Sequence, residues 1–192
     1  MPSDTRARMI EAAAESFRRR GLAGTSFTDV LAASGAARGA IYHHFPDGKA
    51  QLAREAVSWF GAGVTAQFAT LGDADDGELA TPEQVMDRFL AAVRPVVGES
   101  AECASCPVAA VTLESARGDG SLLAAADDAF AAWAAQLARL LTRAGLAPDR
   151  ALALGTLMVT TLEGAQVLCR AAGKLEPFDR AAAGLRLSAR DR

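Results

Sequence analysis

The sequence has few of the side chains that carry most enzyme chemistry. Three cysteines and two histidines occur in 192 residues, and the histidines are adjacent, at His43 and His44. No Gly-rich phosphate loop is present, and any Ser-His-Asp or Cys-His arrangement would have to use one of these two histidines. We therefore predict that the chain is not an enzyme, that it has no catalytic residues, and that it binds no metal or cofactor.

Signals for the membrane and for export are also absent from the sequence. No apolar run reaches about 18 residues, the length that a membrane-spanning helix needs. The N-terminal stretch MPSDTRARMIEAAAES lacks the apolar core of a signal peptide. We expect a cytoplasmic protein that has no membrane partner.

Aromatic residues and strand signals are scarce, whereas alanine and leucine are abundant. Aromatic residues make up 6% of the chain and apolar residues 51%, which is enough to bury a sizeable core. Alanine is the best helix former, so this composition predicts an all-α protein. Helix starts and stops along the chain divide it into about nine helices.

Charge is distributed unevenly along the chain. Residues 1–50 carry seven Arg or Lys and five Asp or Glu, whereas residues 51–192 carry 13 and 18, so a net +2 precedes a net −5. A slightly basic first part and an acidic remainder suit a nucleic-acid-binding domain attached to a larger body.

Residues 25–49 predict two short helices joined by a tight turn. Ser26 and Asp29 fit a capping box at the start of the first helix, and Gly35 can end that helix in the left-handed conformation. The second helix is expected from about Ala37 to His43, with Ile41 and Phe45 directed back at the first. This is the pattern of a helix-turn-helix, whose second helix enters the DNA major groove.

The outward side of this unit suits contact with DNA. Arg38 can make two hydrogen bonds to a guanine edge or to a phosphate, while Tyr42 and His43 can donate to phosphates. Gly39 and Ala40 are small enough for close approach of the backbone, and Lys49 lies at a helix N-terminus suited to a phosphate. The predicted DNA-binding residues are Thr25, Ser26, Thr28, Ala37, Arg38, Gly39, Ala40, Tyr42, His43 and Lys49.

These motifs resemble the tetracycline-repressor (TetR) family of transcription regulators. The matching pieces are T-S-F-T-D-V, G-A-A-R-G-A-I-Y-H-H-F and D-G-K-A-Q-L, within the first quarter to third of the chain. A later string, S-C-P-V-A-A-V-T-L-E, is similar to the LmrA/YxaF-like subgroup. The resemblance implies a homeodomain-like DNA-binding domain at residues 1–50, a linking helix at 47–71, and a helical domain at 72–192 for ligand binding and dimerisation.

Local signals outside the helix-turn-helix place several further helix boundaries. Gly72–Glu78 is an acidic linker, in which a metal site from Asp73, Asp75 and Asp76 is conceivable but a solvated loop is favoured. Thr81-Pro82-Glu83-Gln84 begins a helix that Pro95 is expected to kink or end. Helices are also expected from Pro148 to about Ala172 and from Pro177 onward. In the linking helix, Trp59 and Phe60 are interpreted as core residues.

The resemblance further implies a repressor that a small hydrophobic ligand releases from a palindromic operator. It places a homodimer interface at about 149–172 and 178–190, and a ligand pocket among the middle helices with Glu163 and Gln166 as polar anchors. Candidate pocket residues are Phe68, Met86, Phe89, Cys106, Val111, Trp133, Leu137, Met158, Leu162 and Gln166. For each of these residues, plain core packing is the alternative.

Cys103 and Cys106 form a Cys-x-x-Cys pair that leaves other functions open. Small cysteines packed along a helix are the favoured interpretation. A thiol-redox-sensing regulator is the main alternative, and a cysteine-dependent enzyme is a remote one because no histidine lies nearby in sequence. Zinc binding would need two more soft ligands.

Overall fold

The computed structural model describes residues 2–72, 81–102, 104–115 and 120–190. Within these ranges the protein is all-helical, as the composition predicts, with nine α-helices and one 3-10 turn at Thr70–Gly72. The helices are α1 (Pro2–Arg20), α2 (Phe27–Ser34), α3 (Ala40–His44), α4 (Gly48–Ala69), α5 (Pro82–Glu102), α6 (Pro107–Glu114), α7 (Gly120–Arg143), α8 (Pro148–Ala172) and α9 (Glu176–Arg190).

Several predicted helix ends are confirmed by their capping geometry. Ser26 is the N-cap of α2 and forms the reciprocal capping box with Asp29, and Gly35 ends the helix at φ 66°. At the start of α5, the Thr81 N–H donates to Gln84 Oε1 at 2.8 Å, and the Gln84 N–H donates to Thr81 Oγ1. Pro148 occupies the first turn of α8.

The start of α3 differs from the prediction. The helix begins at Ala40 rather than Ala37, and residues 37–40 form a turn closed by a 2.9 Å bond from the Ala40 N–H to the Ala37 carbonyl oxygen. Gly39 is the N-cap and makes no side-chain capping bond. No residue from 36 to 39 carries a short side-chain acceptor that could start the helix earlier, and glycine is a poor helix former.

Pro95 does not end α5, which continues unbroken to Glu102. Pro95 and Ala91, whose carbonyl loses its helical donor, both lie on the exposed side of the helix. Water can therefore satisfy the carbonyl that a proline leaves without a partner. The predicted early end of this helix is therefore wrong, and a kink at Pro95 stays a prediction.

Trp59 is not a core residue, because 46% of it is exposed. The buried stripe of α4 runs instead through Leu52, Ala53, Ala56 and Val57. Two adjacent registers of a helix give similar apolar spacing in the sequence, and the structure uses the one that leaves Trp59 outside.

The chain forms two compact units. One contains residues 1–63 and 105–129, and the other contains residues 64–104 and 130–192. The first has a core built around Met9, Phe17, Val30, Ile41 and Phe45. In the second, α5 packs against α8 and α9 around a core that includes Met86, Phe89, Trp133, Leu137, Met158 and Phe178. Residues 105–129 therefore group with the N-terminal helices, although the sequence alone assigns them to the second domain.

Gly155 lies where α8 packs closely against the backbone of α7. A Cβ at this position would lie 2.6 Å from the Ala134 carbonyl oxygen and 3.0 Å from the Ala138 nitrogen, both backbone atoms that cannot rotate away.

We expect Gly155→Ala to lower the free energy of unfolding by about 1–3 kcal/mol, measured by urea denaturation. Gly63→Ala is the control, because a Cβ there meets open space. Its better helix propensity should raise stability by up to about 1 kcal/mol. Equal stability of the two variants would contradict this packing.

Candidate nucleic-acid interface

Helices α2 and α3 present an outward face that is separate from their buried side. Ile41 and Phe45 are buried, whereas Tyr42 is 69% exposed and its ring meets the edge of Phe27 at a centroid distance of 6.0 Å. An open groove of about 510 Å³ runs along this face, lined by Phe27, Thr28, Leu31, Ala32, Ala36, Arg38, Ile41 and Tyr42. One side of the unit thus holds α3 in place while the other stays accessible.

The start of α2 is fixed by hydrogen bonds to Asp29. The Asp29 carboxylate accepts from the Ser26 N–H at 3.0 Å and from the Ser26 hydroxyl at 2.6 Å, and Arg20 donates to its other oxygen at 3.0 Å. The pKa of Asp29 lies below its ordinary value because the Ser26 hydroxyl and N–H stabilise the charged form, with a further contribution from Arg20. These bonds join the end of α1 to the first turn of α2.

A second set of contacts fixes the junction between α3 and α4. The Arg6 guanidinium lies 5.4 Å from the centre of the Phe45 ring and 2.5 Å from a Glu55 carboxylate oxygen. Phe45 directly follows α3, so this stacking and ion pair hold the helix end against α1 and α4. No local pattern in the sequence predicts the contacts of Arg6 with Phe45 and Glu55, because these residues lie far apart in the chain.

Most of the predicted DNA-binding residues lie on the accessible face or beside it. Arg38 and Gly39 are in the turn before α3 rather than on the helix itself, so the face combines a turn with a five-residue helix. Ala40 and Lys49 are half-buried, and Lys49 lies in the first turn of α4. The exposed members of the set are Ser26, Thr28, Ala37, Arg38, Gly39, Tyr42 and His43.

Thr25 lies inside the unit and not on its accessible face. Its side chain is only 3% exposed, and its hydroxyl donates to the Gly21 carbonyl oxygen at 2.8 Å and lies 2.8 Å from the Ser16 hydroxyl. Because the Thr25 hydroxyl bonds to the Gly21 carbonyl oxygen and the Ser16 hydroxyl, it stabilises the turn between α1 and α2. The role of Thr25 in DNA binding stays a prediction, which its buried side chain does not support.

Eight of the ten predicted pocket residues belong to the second compact unit, where they are buried. The Phe68 ring meets the rings of Phe89 and Trp133 at 5.6 and 6.4 Å, and Met86, Leu137, Met158 and Leu162 are buried in the same unit. Gln166 is also buried, and its side-chain oxygen accepts a 2.9 Å bond from Ser100. Cys106 and Val111 belong to the first unit. The pocket role of all ten residues stays a prediction.

Only Cys106 of the cysteine pair is described by the structure, because Cys103 lies outside the described residues. Cys106 is buried at the N-cap of α6, next to Pro107 in its first turn. The described ranges contain no group of three or more His, Cys, Asp or Glu placed to hold a metal ion. Asp73, Asp75 and Asp76 also fall outside those ranges. The thiol-sensing alternative therefore stays a hypothesis that rests on sequence.

Taken together, a capped α2, a glycine turn and a short α3 with an exposed polar face define a helix-turn-helix DNA-binding protein. Residues 9–56 match the family model of bacterial regulatory proteins of the tetR family, and residues 82–184 match the LmrA/YxaF-like transcriptional regulator C-terminal domain. The chain belongs to the TetR family of transcriptional regulators, with a C-terminal domain of the LmrA/YxaF-like kind. It is a transcriptional regulator and not an enzyme.

Similar proteins cover nearly the whole chain. The HTH-type transcriptional regulator Rv0196 of Mycobacterium tuberculosis is 36% identical over 91% of this chain and 88% of its own length. The HTH-type transcriptional regulator LmrA of Bacillus subtilis is 27% identical over 91% of each chain. A TetR transcriptional regulator from Legionella pneumophila has the same fold, with a TM-score of 0.81 at 19% identity over 94% of this chain and 95% of that one.

Proposed function

We propose that the protein is a homodimeric repressor that binds a palindromic operator in the cytoplasm and leaves it when a small hydrophobic ligand binds. The observation that carries the DNA-binding part is the exposed turn-and-helix face with Arg38, Tyr42 and His43, beside Lys49. A face of this size reads one half-site, so two copies related by a two-fold axis match a palindrome.

The dimer interface is assigned to α8 and α9 because α8 exposes a stripe of apolar and small residues. Leu152, Val167 and Leu168 are 54%, 65% and 59% exposed, and Leu157 and Gly164 lie on the same side of the helix. An isolated apolar side chain on a surface is ordinary, but a stripe of such residues from Leu152 to Leu168 is typical of an interface.

The same helix is the one described helix that is long and apolar enough to cross a membrane, with a mean hydropathy of 1.4 over its most apolar window. Of that window, 44% is buried inside the protein. A core helix of a soluble protein meets the same test, so this is weak evidence for a span. A second copy of α8 is the partner that the two-fold arrangement supplies.

The effector pocket is assigned to the aromatic and methionine-rich core of the second unit. Phe68, Phe89 and Trp133 provide flat apolar surfaces, and Met86 and Met158 can adapt to a ligand's shape. The Ser100–Gln166 bond places an amide in this apolar core, where it can orient one polar group of a ligand. Binding would favour a conformation of the body in which the two DNA-binding faces no longer match the operator spacing.

Selection of bound duplexes from a random pool tests the function as a whole. We expect an enriched sequence with two-fold symmetry and half-sites separated by about one helical turn or a multiple of it. Aromatic compounds are then added to the complex with that duplex, and at least one should release it. An enriched sequence without symmetry would contradict the dimeric arrangement, and a complex that every hydrophobic compound leaves intact would contradict release.

A further inference from the structure

Both ends of α6 bond to the backbone where α1 ends. The Ser105 N–H and hydroxyl both donate to the Arg18 carbonyl oxygen, at 2.8 and 3.1 Å. At the other end, Glu114 Oε2 accepts from the Ala23 N–H at 2.5 Å. All four residues belong to the first compact unit. An eight-residue helix is thus tied at both ends to the segment that leads from α1 into α2.

These backbone groups need partners from outside their own helix. Arg18 lies in the last turn of α1, where carbonyl oxygens have no intrahelical donor. Ala23 lies in the turn between α1 and α2, and its N–H has no helical acceptor. Ser105 and Glu114 therefore satisfy polar groups that the helix end and the turn leave open, and they do so with geometry that fixes the turn's position.

The Glu114 carboxylate also lies directly on Gly21, the residue that ends α1. Gly21 has φ +72°, and a Cβ built on it would stand 2.0 Å from Glu114 Oε1. The Gly21 carbonyl oxygen in turn accepts the bond from Thr25, which precedes the α2 N-cap Ser26. A chain of contacts thus runs from Glu114 through the turn to the first residue of the helix-turn-helix.

We propose that Glu114, assisted by Ser105, is a positioning residue for the DNA interface: it holds the α1–α2 turn so that α2 and α3 keep the orientation that fits the operator. This inference rests on the proposed DNA-binding function. Glu114 itself touches no DNA in this proposal and acts only through the Ala23 N–H and the surface of Gly21.

The direction of the expected change in operator affinity distinguishes this positioning role from a purely electrostatic effect of the Glu114 charge. Glu114 is an exposed carboxylate in the DNA-binding unit, and removing a negative charge there should strengthen attraction to the phosphate backbone. The positioning role predicts the opposite for the operator, because the loss of the Ala23 bond lets the turn and α2 reorient. Binding to non-operator DNA, which depends on charge more than on fit, should not weaken.

The test uses full-length Glu114→Ala, Glu114→Gln and a matched control, Glu11→Ala, which removes an exposed glutamate from α1 in the same unit. Kd is measured by fluorescence anisotropy for the selected operator and for an unrelated duplex.

We expect Glu114→Ala to weaken operator binding about tenfold, as the loss of a hydrogen bond to a charged group suggests. Binding of the unrelated duplex should be unchanged or tighter. Glu114→Gln should stay within about threefold of the parent, since its amide oxygen can still accept from Ala23, and Glu11→Ala should bind both duplexes as well or better.

Hydrogen exchange of the same variants reports on the turn without DNA. The amides of residues 21–30 should exchange faster in Glu114→Ala than in the parent and in Glu11→Ala, because the Ala23 N–H loses its acceptor. Glu114→Ala that binds the operator as tightly as the parent would overturn the proposal, as would an equal loss on both duplexes. If the parent itself prefers no duplex, the proposed function fails instead, and unchanged exchange in residues 21–30 would separately refute the contact.

Discussion

Glutamate in place of Val167 is expected to dissociate the dimer and to weaken operator binding by about 100-fold or more. Val167 is 65% exposed on the apolar stripe of α8, so each copy would bring a new carboxylate into the proposed apolar interface. A monomer reads one half-site and loses the gain of about 10²–10⁴ that joining two binding modules gives.

Sedimentation velocity and operator titration of the same sample check this expectation. Val96→Glu is the control, because it adds the same charge to an exposed valine in the same compact unit, on α5, a helix that is not assigned to the interface. It should leave both the dimer and operator affinity unchanged. A Val167→Glu protein that sediments as a dimer would show that α8 does not form the interface.

Alanine in place of Arg38 is expected to weaken operator binding by about 1–3 kcal/mol, or about 5- to 150-fold, for each half-site, and to relax the base preference at one position in each half-site. Arg38 is exposed in the turn directly before α3, where its guanidinium can make paired hydrogen bonds to a guanine edge. Loss of such a pair weakens binding to operators that carry the preferred base. Binding to operators with any of the other three bases at that position should stay nearly the same.

Lys49→Ala provides the comparison for Arg38. The Lys49 ammonium lies in the first turn of α4, where it suits a phosphate. Its loss should weaken binding to all sequences alike and reduce the slope of log K against log salt by about 1 for each of the two copies. Titration of the four base variants of the operator at several salt concentrations separates the two effects. A uniform loss for Arg38→Ala would assign Arg38 to a phosphate rather than to a base.

Features that depend on neighbouring residues were predictable from the sequence. Ser26 and Asp29 are three positions apart and form the capping box that their types imply, and Gly35 takes the left-handed conformation after α2. Pro148 likewise starts α8 as expected. These signals work because a capping side chain and the backbone group it satisfies lie within one turn of each other.

Features that depend on distant residues could not be predicted in this way. The bond from Ala23 to Glu114 spans 91 positions, and the Arg6–Phe45 stacking joins α1 to the end of α3. Neither contact has a local signature. Trp59 illustrates a related limit, because an apolar residue on a helix can belong to either of two adjacent registers and only packing selects one. The grouping of residues 105–129 with the N-terminal helices is a consequence of such distant contacts.

Methylation protection of guanine N7 on the selected operator tests the central claim most directly, because this atom faces the major groove. If the turn at Arg38 and helix α3 enter that groove, the parent protein should protect guanines in two symmetric major-groove segments, with centres about one helical turn or a multiple of it apart. Arg38→Ala should remove the protection of one guanine in each half. Guanines that stay fully reactive on DNA that is demonstrably bound would contradict the assignment of this face to the major groove.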